Sequence, residues 1–199
     1  QSFVNSLLYS SVSTVIGVLL AGMAAYVLAR NRTRVNRFLY FFMIMGIAMP
    51  MNFFTLTKVM QVTHLINTRP GIILLYAATQ VPFSVFLMYG YISSIPRELD
   101  EAAIVDGCGP LRLFFSIILP LSMPVVVTAG VLNFLGTWSD FLLPLYYLNS
   151  SDNWPMTLAV YNFFGQFQSD WNLVSADILL TIIPVVLIYL LAQRFILSG

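Results

Sequence analysis

Apolar residues are concentrated in five long stretches separated by short polar connections. The stretches cover about residues 4–29, 38–57, 71–92, 117–136 and 174–193. Because a bilayer core takes roughly 20 apolar residues per helical crossing, each stretch is long enough to span a membrane. Helices satisfy their backbone hydrogen bonds within one segment, as lipid requires. The pattern therefore predicts an all-α membrane protein with five spans.

The composition points to lipid as the main surrounding medium. Of the 199 residues, 59% are hydrophobic and 9% are charged. A net charge of +1 argues against nucleic acid as a partner, because nucleic-acid binders concentrate Lys and Arg on one face. The single cysteine, Cys108, has no disulfide partner in the chain, and the single histidine, His64, has no ligands at metal-site spacing. We expect Cys108 to be a small buried residue, His64 to lie in a loop, and no metal to be bound.

Basic residues predict which side of the membrane each connection occupies. The first connection carries Arg30, Arg32, Arg34 and Arg37, and the positive-inside rule places it in the cytoplasm. Alternating spans then put three more arginines inside and two basic residues outside, namely Arg97, Arg112 and Arg194 against Lys58 and Arg69. This topology places Gln1 outside and Gly199 inside, so we expect a further helix to precede Gln1 in the parent chain.

One face of the first stretch consists of small residues. Gly17, Ala21, Ala25 and Ala29 recur at every fourth position. Small side chains allow helix backbones to approach closely in membranes, so we expect this face to pack against another helix. The alternative is that Gly and Ala are simply frequent in membrane helices.

The middle of the third stretch contains residues that lipid does not favour. They are Thr79, Gln80, Pro82 and Ser84. Because polar groups in contact with lipid are costly, we expect them to face a cavity or another helix. Pro82, with Pro50 in the second stretch and Pro184 in the fifth, also predicts a kink.

Residues 93–116, between the third and fourth stretches, form the most polar part of the chain. Ser94 is a candidate helix cap, and Glu98, Asp100 and Glu101 suit the first turn of a helix, where the helix dipole favours anions. Gly107 is a typical helix stop. This segment predicts a short cytoplasmic helix.

A slim, largely apolar face of this helix could bind a soluble partner. Four residues follow the i, i+3, i+4, i+7 spacing of one helix face, namely Leu99, Ala102, Ala103 and Asp106. Joined rigidly to the next span through Gly107 and Pro110, the helix would pass a push from that partner into the membrane. The alternative is a surface helix that only closes the loop.

These motifs resemble a known family. The sequence Glu101-Ala102-Ala103, then Asp106-Gly107 and Ile117-Ile118-Leu119-Pro120, resembles the EAA coupling motif of type I ABC importer permeases. The likeness narrows to the carbohydrate importers, and to the shorter permease of the maltose-type pair, through Ile95-Pro96-Arg97-Glu98-Leu99, Trp138, Asp140, Phe141 and Pro144.

The resemblance implies an architecture and a set of partners. Residues 1–199 would form a single permease transmembrane domain in the lipid of a bacterial or archaeal cell membrane. It would pair with a second permease and with a dimer of ABC ATPases, which hold ATP and Mg²⁺. An extracellular or periplasmic solute-binding protein would deliver a carbohydrate for transport by alternating access. This chain has no G-x-x-x-x-G-K-S/T phosphate loop, so we expect no ATPase site, no cofactor and no enzymatic activity of its own.

The resemblance also implies roles for single residues. The coupling residues would be Glu101, Ala102, Ala103, Asp106 and Gly107. Glu101 would make the charged contact with an ATPase, the two alanines would allow close approach, and Gly107 would permit the turn.

A sugar path requires aromatic faces together with hydrogen-bonding groups. Its candidates are Tyr76, Gln80, Asn133 and Trp138. For Gln80 and Asn133 the alternative is an interhelical hydrogen bond.

Two rival classes of protein remain possible on the sequence alone. An ion-coupled secondary transporter normally carries carboxylates within the membrane, and here only Asp177 qualifies. An intramembrane enzyme needs a nucleophile with a base, or a metal cluster, and neither is visible. Co-purification separates the three classes, because only an importer subunit brings an ATPase and a second permease with it.

Overall fold

The computed structural model describes residues 1–31, 33–163 and 171–197. Arg32 and Gly199, which enter the topology prediction, lie outside the described residues. Helices make up most of the described residues, which contain no strand. The all-α prediction is therefore confirmed. The helices are α1 (Ser2–Arg30), α2 (Arg34–Ala48), α3 (Phe53–Val62), α4 (Arg69–Ser94), α5 (Glu98–Val105), α6 (Pro110–Leu113), α7 (Leu119–Leu121), α8 (Met123–Ser139), α9 (Leu142–Tyr147), α10 (Met156–Ala159) and α11 (Trp171–Leu197).

Three helices, α1, α4 and α11, are individually long and apolar enough to cross a membrane. The other two predicted spans are broken. Helices α2 and α3 meet at 111°, and the segment Pro110–Leu121 meets α8 at 81°. The number of crossings in the described residues is therefore three, or up to five if each bent pair counts as one. Each bent pair covers one predicted stretch, 38–57 or 117–136, so five spans remain the prediction.

Proline position explains one of these breaks. Pro50 lies in the non-helical gap between α2 and α3, where its ring and missing N–H end the α2 helix. In contrast, Pro82 lies inside α4 and Pro184 inside α11 without interrupting either helix. Side-chain caps fix the starts of α2, α3 and α4, where Thr33, Asn52 and Thr68 each accept a backbone N–H bond of 3.1 Å.

Helices α1 and α4 run parallel and pack closely along their length. The small-residue face of α1 is buried, with Ala21 and Ala25 fully enclosed. A Cβ atom at Gly17 would lie 3.3 Å from the backbone oxygen of Ala77 on α4. The prediction that this face packs against another helix is confirmed.

Two apolar clusters form the core, and a layer of polar side chains lies between them. The cytoplasmic cluster contains buried residues of α1, α4, α5, α6 and α8, and the external cluster contains Tyr9, Met60, Ile72, Leu75, Tyr76, Leu143, Tyr147 and Leu148. Cys108 is half-buried and packs against the cytoplasmic cluster. The polar layer consists of Ser10, Ser13, Gln80, Ser84, Asn133 and Thr137, all buried.

The two ends of the bundle are distinct. At one end the last turn of α1 meets α5. At the other end Asn5 and Tyr9 of α1 donate hydrogen bonds to the backbone carbonyls of Asp152 and Asn153, and His64 lies in a turn nearby. The structure therefore groups the connections as the basic residues predict, and we name these the cytoplasmic and external ends.

Candidate coupling and translocation sites

Helix α5 exposes one face to solvent and buries the other. Asp100 and Ala103 are its buried residues, whereas Ile104 and Val105 are 62% and 86% exposed. Glu101, Ala102 and Asp106 are also exposed. The outward face of α5 is the name used below for the exposed residues Glu101, Ala102, Ile104, Val105 and Asp106.

The predicted face of Leu99, Ala102, Ala103 and Asp106 is therefore divided. Ala103 is 5% exposed and belongs to the cytoplasmic cluster, so within this chain it cannot be reached by a soluble partner. The correction follows from the helix repeat: Asp100 and Ala103 are one turn apart and both point into the bundle. Of the five predicted coupling residues, Glu101, Ala102 and Asp106 remain accessible on the outward face.

The ends of α5 agree only in part with those predicted from the sequence. Arg97 stands at the N-cap without a side-chain capping bond, and the predicted cap, Ser94, instead donates to the carbonyl of Tyr91 within α4. The acidic first turn is present as predicted. Gly107 ends the helix with φ of +80°, a left-handed conformation that favours glycine.

An ion pair that the sequence did not reveal ties α5 to α1. Arg30 Nε lies 2.7 Å from Asp100 Oδ2, and Arg30 Nη2 donates to Asp100 Oδ1 at 3.1 Å. Arg97 in turn donates to the terminal carbonyl of α1, that of Arg30, at 3.2 Å. We call Arg30, Arg97 and Asp100 the α1–α5 clamp. The sequence contains one signal of this clamp: Asp100 lies three residues before Ala103, so the two side chains share the same face of α5.

A polar cavity of about 490 Å³ opens between α4 and α8. Its lining residues are Tyr76, Thr79, Gln80, Phe83, Asn133, Gly136, Thr137, Ser139, Asp140 and Leu143. A larger cleft of about 740 Å³ lies on the other side of Thr79 and Phe83. That cleft has mainly apolar walls, including Met49, Pro50 and Met51, and so offers few groups to bind sugar hydroxyls.

Side chains across the polar cavity hold one another by hydrogen bonds. The Tyr76 hydroxyl donates to Asp140 Oδ2 at 2.9 Å. Gln80 Nε2 donates to Thr137 Oγ1 at 2.7 Å. These bonds join α4 to α8 and to Asp140, which directly follows α8. They therefore fix the width of the cavity and orient its polar atoms.

Three of the four predicted path residues meet at this cavity, and one does not. Tyr76, Gln80 and Asn133 line it. Trp138 is 1% exposed and is absent from the lining. Its indole N–H donates to the carbonyl of Thr181 on α11 at 3.0 Å, so we remove Trp138 from the path and assign it to packing between α8 and α11.

Asp140 is the cavity residue that sequence reasoning missed as a path candidate. Besides accepting from Tyr76, its carboxylate accepts the backbone N–H groups of Leu142 and Leu143. It therefore joins the cavity wall to the start of α9. Its position directly after α8 was the available signal, because such side chains often cap the next helix.

We expect Tyr76→Phe to lower the free energy of unfolding by about 1 to 3 kcal/mol, the usual range for a lost hydrogen bond to a charged group. The change removes only the hydroxyl that donates to Asp140. Thermal unfolding of the purified protein measures the effect. Tyr91→Phe, on the same helix and with no hydrogen-bond partner for its hydroxyl among the described residues, is the control and should change nothing. Equal stability of the two variants would contradict the prediction.

No three His, Cys, Asp or Glu side chains in residues 1–31, 33–163 and 171–197 could together hold a metal ion. The site is thus an exposed acidic helix at one end of a bundle and a polar cavity within it. Together with its long apolar helices, this arrangement fits a membrane protein.

Comparison with known proteins identifies the family. The family described as binding-protein-dependent transport system inner membrane component matches residues 13–197. The chain belongs to this family, whose members are permeases of ABC transporters and multi-pass proteins of the cell membrane. The predicted resemblance to ABC permeases and the predicted location in the membrane are confirmed.

Individual relatives are named as sugar permeases. The diacetylchitobiose uptake system permease protein NgcG of Streptomyces coelicolor is 36% identical over 196 residues, covering 96% of this chain and 65% of NgcG. The multiple sugar-binding transport system permease protein MsmG of Streptococcus mutans is 36% identical over 203 residues, covering 99% of this chain and 73% of MsmG. The chain thus spans about two thirds to three quarters of the length of these relatives.

The fold is also found in a solved structure. The crystal structure of a bacterial ABC transporter involved in the import of the acidic polysaccharide alginate matches with a TM-score of 0.86. The match covers 97% of this chain and 73% of that chain, at 22% identity. This likeness shows that the two chains share a fold.

Proposed function

We propose that this chain is the permease subunit of an ATP-driven importer that moves a sugar or oligosaccharide into the cell. The observation that carries the proposal is the outward face of α5, where Ile104 and Val105 are exposed on a short helix that is not one of the membrane-length helices. An apolar patch of this kind on a helix outside the spans is typical of a protein interface. The relatives named as sugar permeases support the substrate class.

The partners follow from the surfaces that this chain leaves open. A pair of ATPases would bind ATP and Mg²⁺ and grip the outward face of α5. Helix α2 has no buried residue, and α11 is almost entirely exposed over its membrane-length part. Lipid and a second permease would cover these helices. A solute-binding protein would dock at the external end and release the sugar there.

The polar cavity is the proposed translocation site. Tyr76 and Phe83 supply aromatic surface, and Gln80, Asn133 and Asp140 supply hydrogen-bonding groups, which together suit a sugar. Alternating access would open this cavity first to the outside and then to the cytoplasm. Closure of the ATPase dimer on ATP would supply the driving motion through α5.

Cross-linking in intact membranes tests the proposal. We expect a photoreactive amino acid at Ala102 to link this chain to a subunit that hydrolyses ATP, and affinity purification to recover that subunit and a second permease. The matched control is the same amino acid at Val4, which is 63% exposed at the external end and should not reach the ATPase. If Ala102 gave no ATPase product while Val4 gave products with other proteins, the assignment would be overturned.

A further inference from the structure

Short connections without regular structure join α5 to its neighbours on both sides. Ile95 and Pro96 precede the helix outside regular structure. Gly107 and Gly109 follow it, and a Cβ atom at either position would meet nothing within 4 Å. Glycine has the widest backbone freedom, and no neighbouring side chain restricts either of these two. Between these glycines the backbone is held at Cys108, whose N–H donates to the carbonyl of Ala103 at 2.9 Å. The rigid joint through Gly107 and Pro110 stays a prediction.

Lateral contacts also hold α5 against α1. The Arg30 and Asp100 side chains are only 11% and 12% exposed, and a partly buried pair is screened less by salt than a surface pair. Arg30 Nη1 also donates to the carbonyl of Ile95 at 3.0 Å. Arg30 belongs to α1, Asp100 to α5, and Ile95 to the connection before α5.

Helix α1 leads from this contact to the polar cavity. It packs along α4, and Gly17 lies against the Gln80 side chain, where a Cβ atom would be 2.8 Å from Oε1. Gln80 lines the cavity and bonds to Thr137 across it. A tilt of α1 therefore changes the cavity wall directly.

We propose that the α1–α5 clamp carries the motion of α5 into α1, so that the coupling signal crosses directly between these two helices. Arg30 and Asp100 are the positioning residues of this link. The inference rests on the coupling role of α5 proposed above. Spatial continuity alone does not establish coupling, so the test measures the response of the cavity itself.

The test uses the complete importer, purified with its partner subunits in lipid nanodiscs. The parent carries Cys108→Ser, which removes the only native cysteine of this chain, and Ser139→Cys, a nearly isosteric change at an exposed position in the cavity wall. Mass spectrometry follows the reaction of that cysteine with a water-soluble maleimide, without nucleotide and with ATP, Mg²⁺ and vanadate. ATP hydrolysis is measured in parallel.

In the parent we expect the two maleimide rates to differ by about fivefold or more, the lower end of typical coupling between sites. Arg30→Gln and Asp100→Asn should still hydrolyse ATP but show equal rates in the two states. Arg34→Gln and Glu98→Gln are the matched controls, because both side chains are exposed and form no hydrogen bond or ion pair among the described residues. They should respond as the parent does.

The outcomes separate the inference from the function on which it rests. A parent without any nucleotide response would overturn the importer proposal, and the inference with it. A full response in Arg30→Gln and Asp100→Asn would overturn the inference alone. If either single variant fails to assemble, the double variant Arg30→Asp/Asp100→Arg tests the inference. A restored nucleotide response in this variant supports the clamp. A double variant that assembles but does not respond contradicts it.

Discussion

Ala102→Trp is expected to weaken ATPase binding roughly 30-fold or more while leaving the subunit folded, whereas Ala103→Trp is expected to destabilise the subunit itself. The two alanines are neighbours in sequence but differ in burial, because only Ala103 points into the bundle. Ala102 is exposed, and Ala103 is 5% exposed within the cytoplasmic cluster. A bulky ring at Ala102 blocks the proposed docking face, where a central contact is worth about 2 kcal/mol or more, or roughly 30-fold in affinity. A ring at Ala103 overpacks the core, at a cost of about 1–3 kcal/mol or more.

Two measurements distinguish these effects. Thermal unfolding in detergent reports on the subunit, and recovery of ATPase activity with the purified subunit reports on docking. Ala102→Trp should lower only the second quantity, and Ala103→Trp should lower both. Retention of normal ATPase binding by Ala102→Trp would show that the outward face of α5 is not the docking surface.

Gly71→Ala should lower the free energy of unfolding by about 3 kcal/mol, at the upper end of the usual cost of overpacking. Gly71 is buried in the first turn of α4, where its N–H bonds to the Thr68 cap. An added Cβ would clash with the backbone carbonyl of Leu65. A backbone atom cannot move aside as the end of a flexible side chain can, so the turn before α4 must be displaced.

Gly90→Ala is the matched change on the same helix and should have the opposite sign. Gly90 is exposed, and an added Cβ would meet nothing within 4 Å. Alanine in a helix interior is favoured over glycine by about 1 kcal/mol, so this variant should be slightly more stable. Thermal unfolding of both variants checks the pair, and destabilisation of Gly90→Ala as large as that of Gly71→Ala would refute the argument.

Hydropathy predicted the straight helices well and the bent ones poorly. Helices α1, α4 and α11 correspond to the stretches 4–29, 71–92 and 174–193. The 111° bend between α2 and α3 does not alter hydropathy, because apolar residues continue on both sides of it. Proline alone does not settle the matter either, since Pro50 marks a break and Pro82 does not. Whether a helix continues through proline depends on neighbours that satisfy the freed backbone groups, and local sequence does not specify them.

Local sequence is similarly limited in predicting the cavity and the α1–α5 clamp. The cavity residues Tyr76, Gln80 and Asn133 could be predicted, because polar groups within an apolar stretch must face protein or water. Trp138 could not be separated from them, because an aromatic side chain serves packing and binding equally well. Arg30 and Asp100 are 70 residues apart, and no periodicity links positions so distant. That pairing arises only when α1 and α4 have brought their cytoplasmic ends together.

The polar layer restricts how the bundle can deform. Gln80 bonds to Thr137 at 2.7 Å, and Asn133 bonds to Ser84 at 2.8 Å, so α4 and α8 are joined at two levels. Sliding either helix by one turn, about 5.4 Å, would separate every donor from its acceptor. Apolar surfaces alone would tolerate gradual slippage, whereas these bonds hold α4 and α8 in one register. A change in the opening of the cavity is therefore expected to come from a change in helix tilt and not from lengthwise sliding.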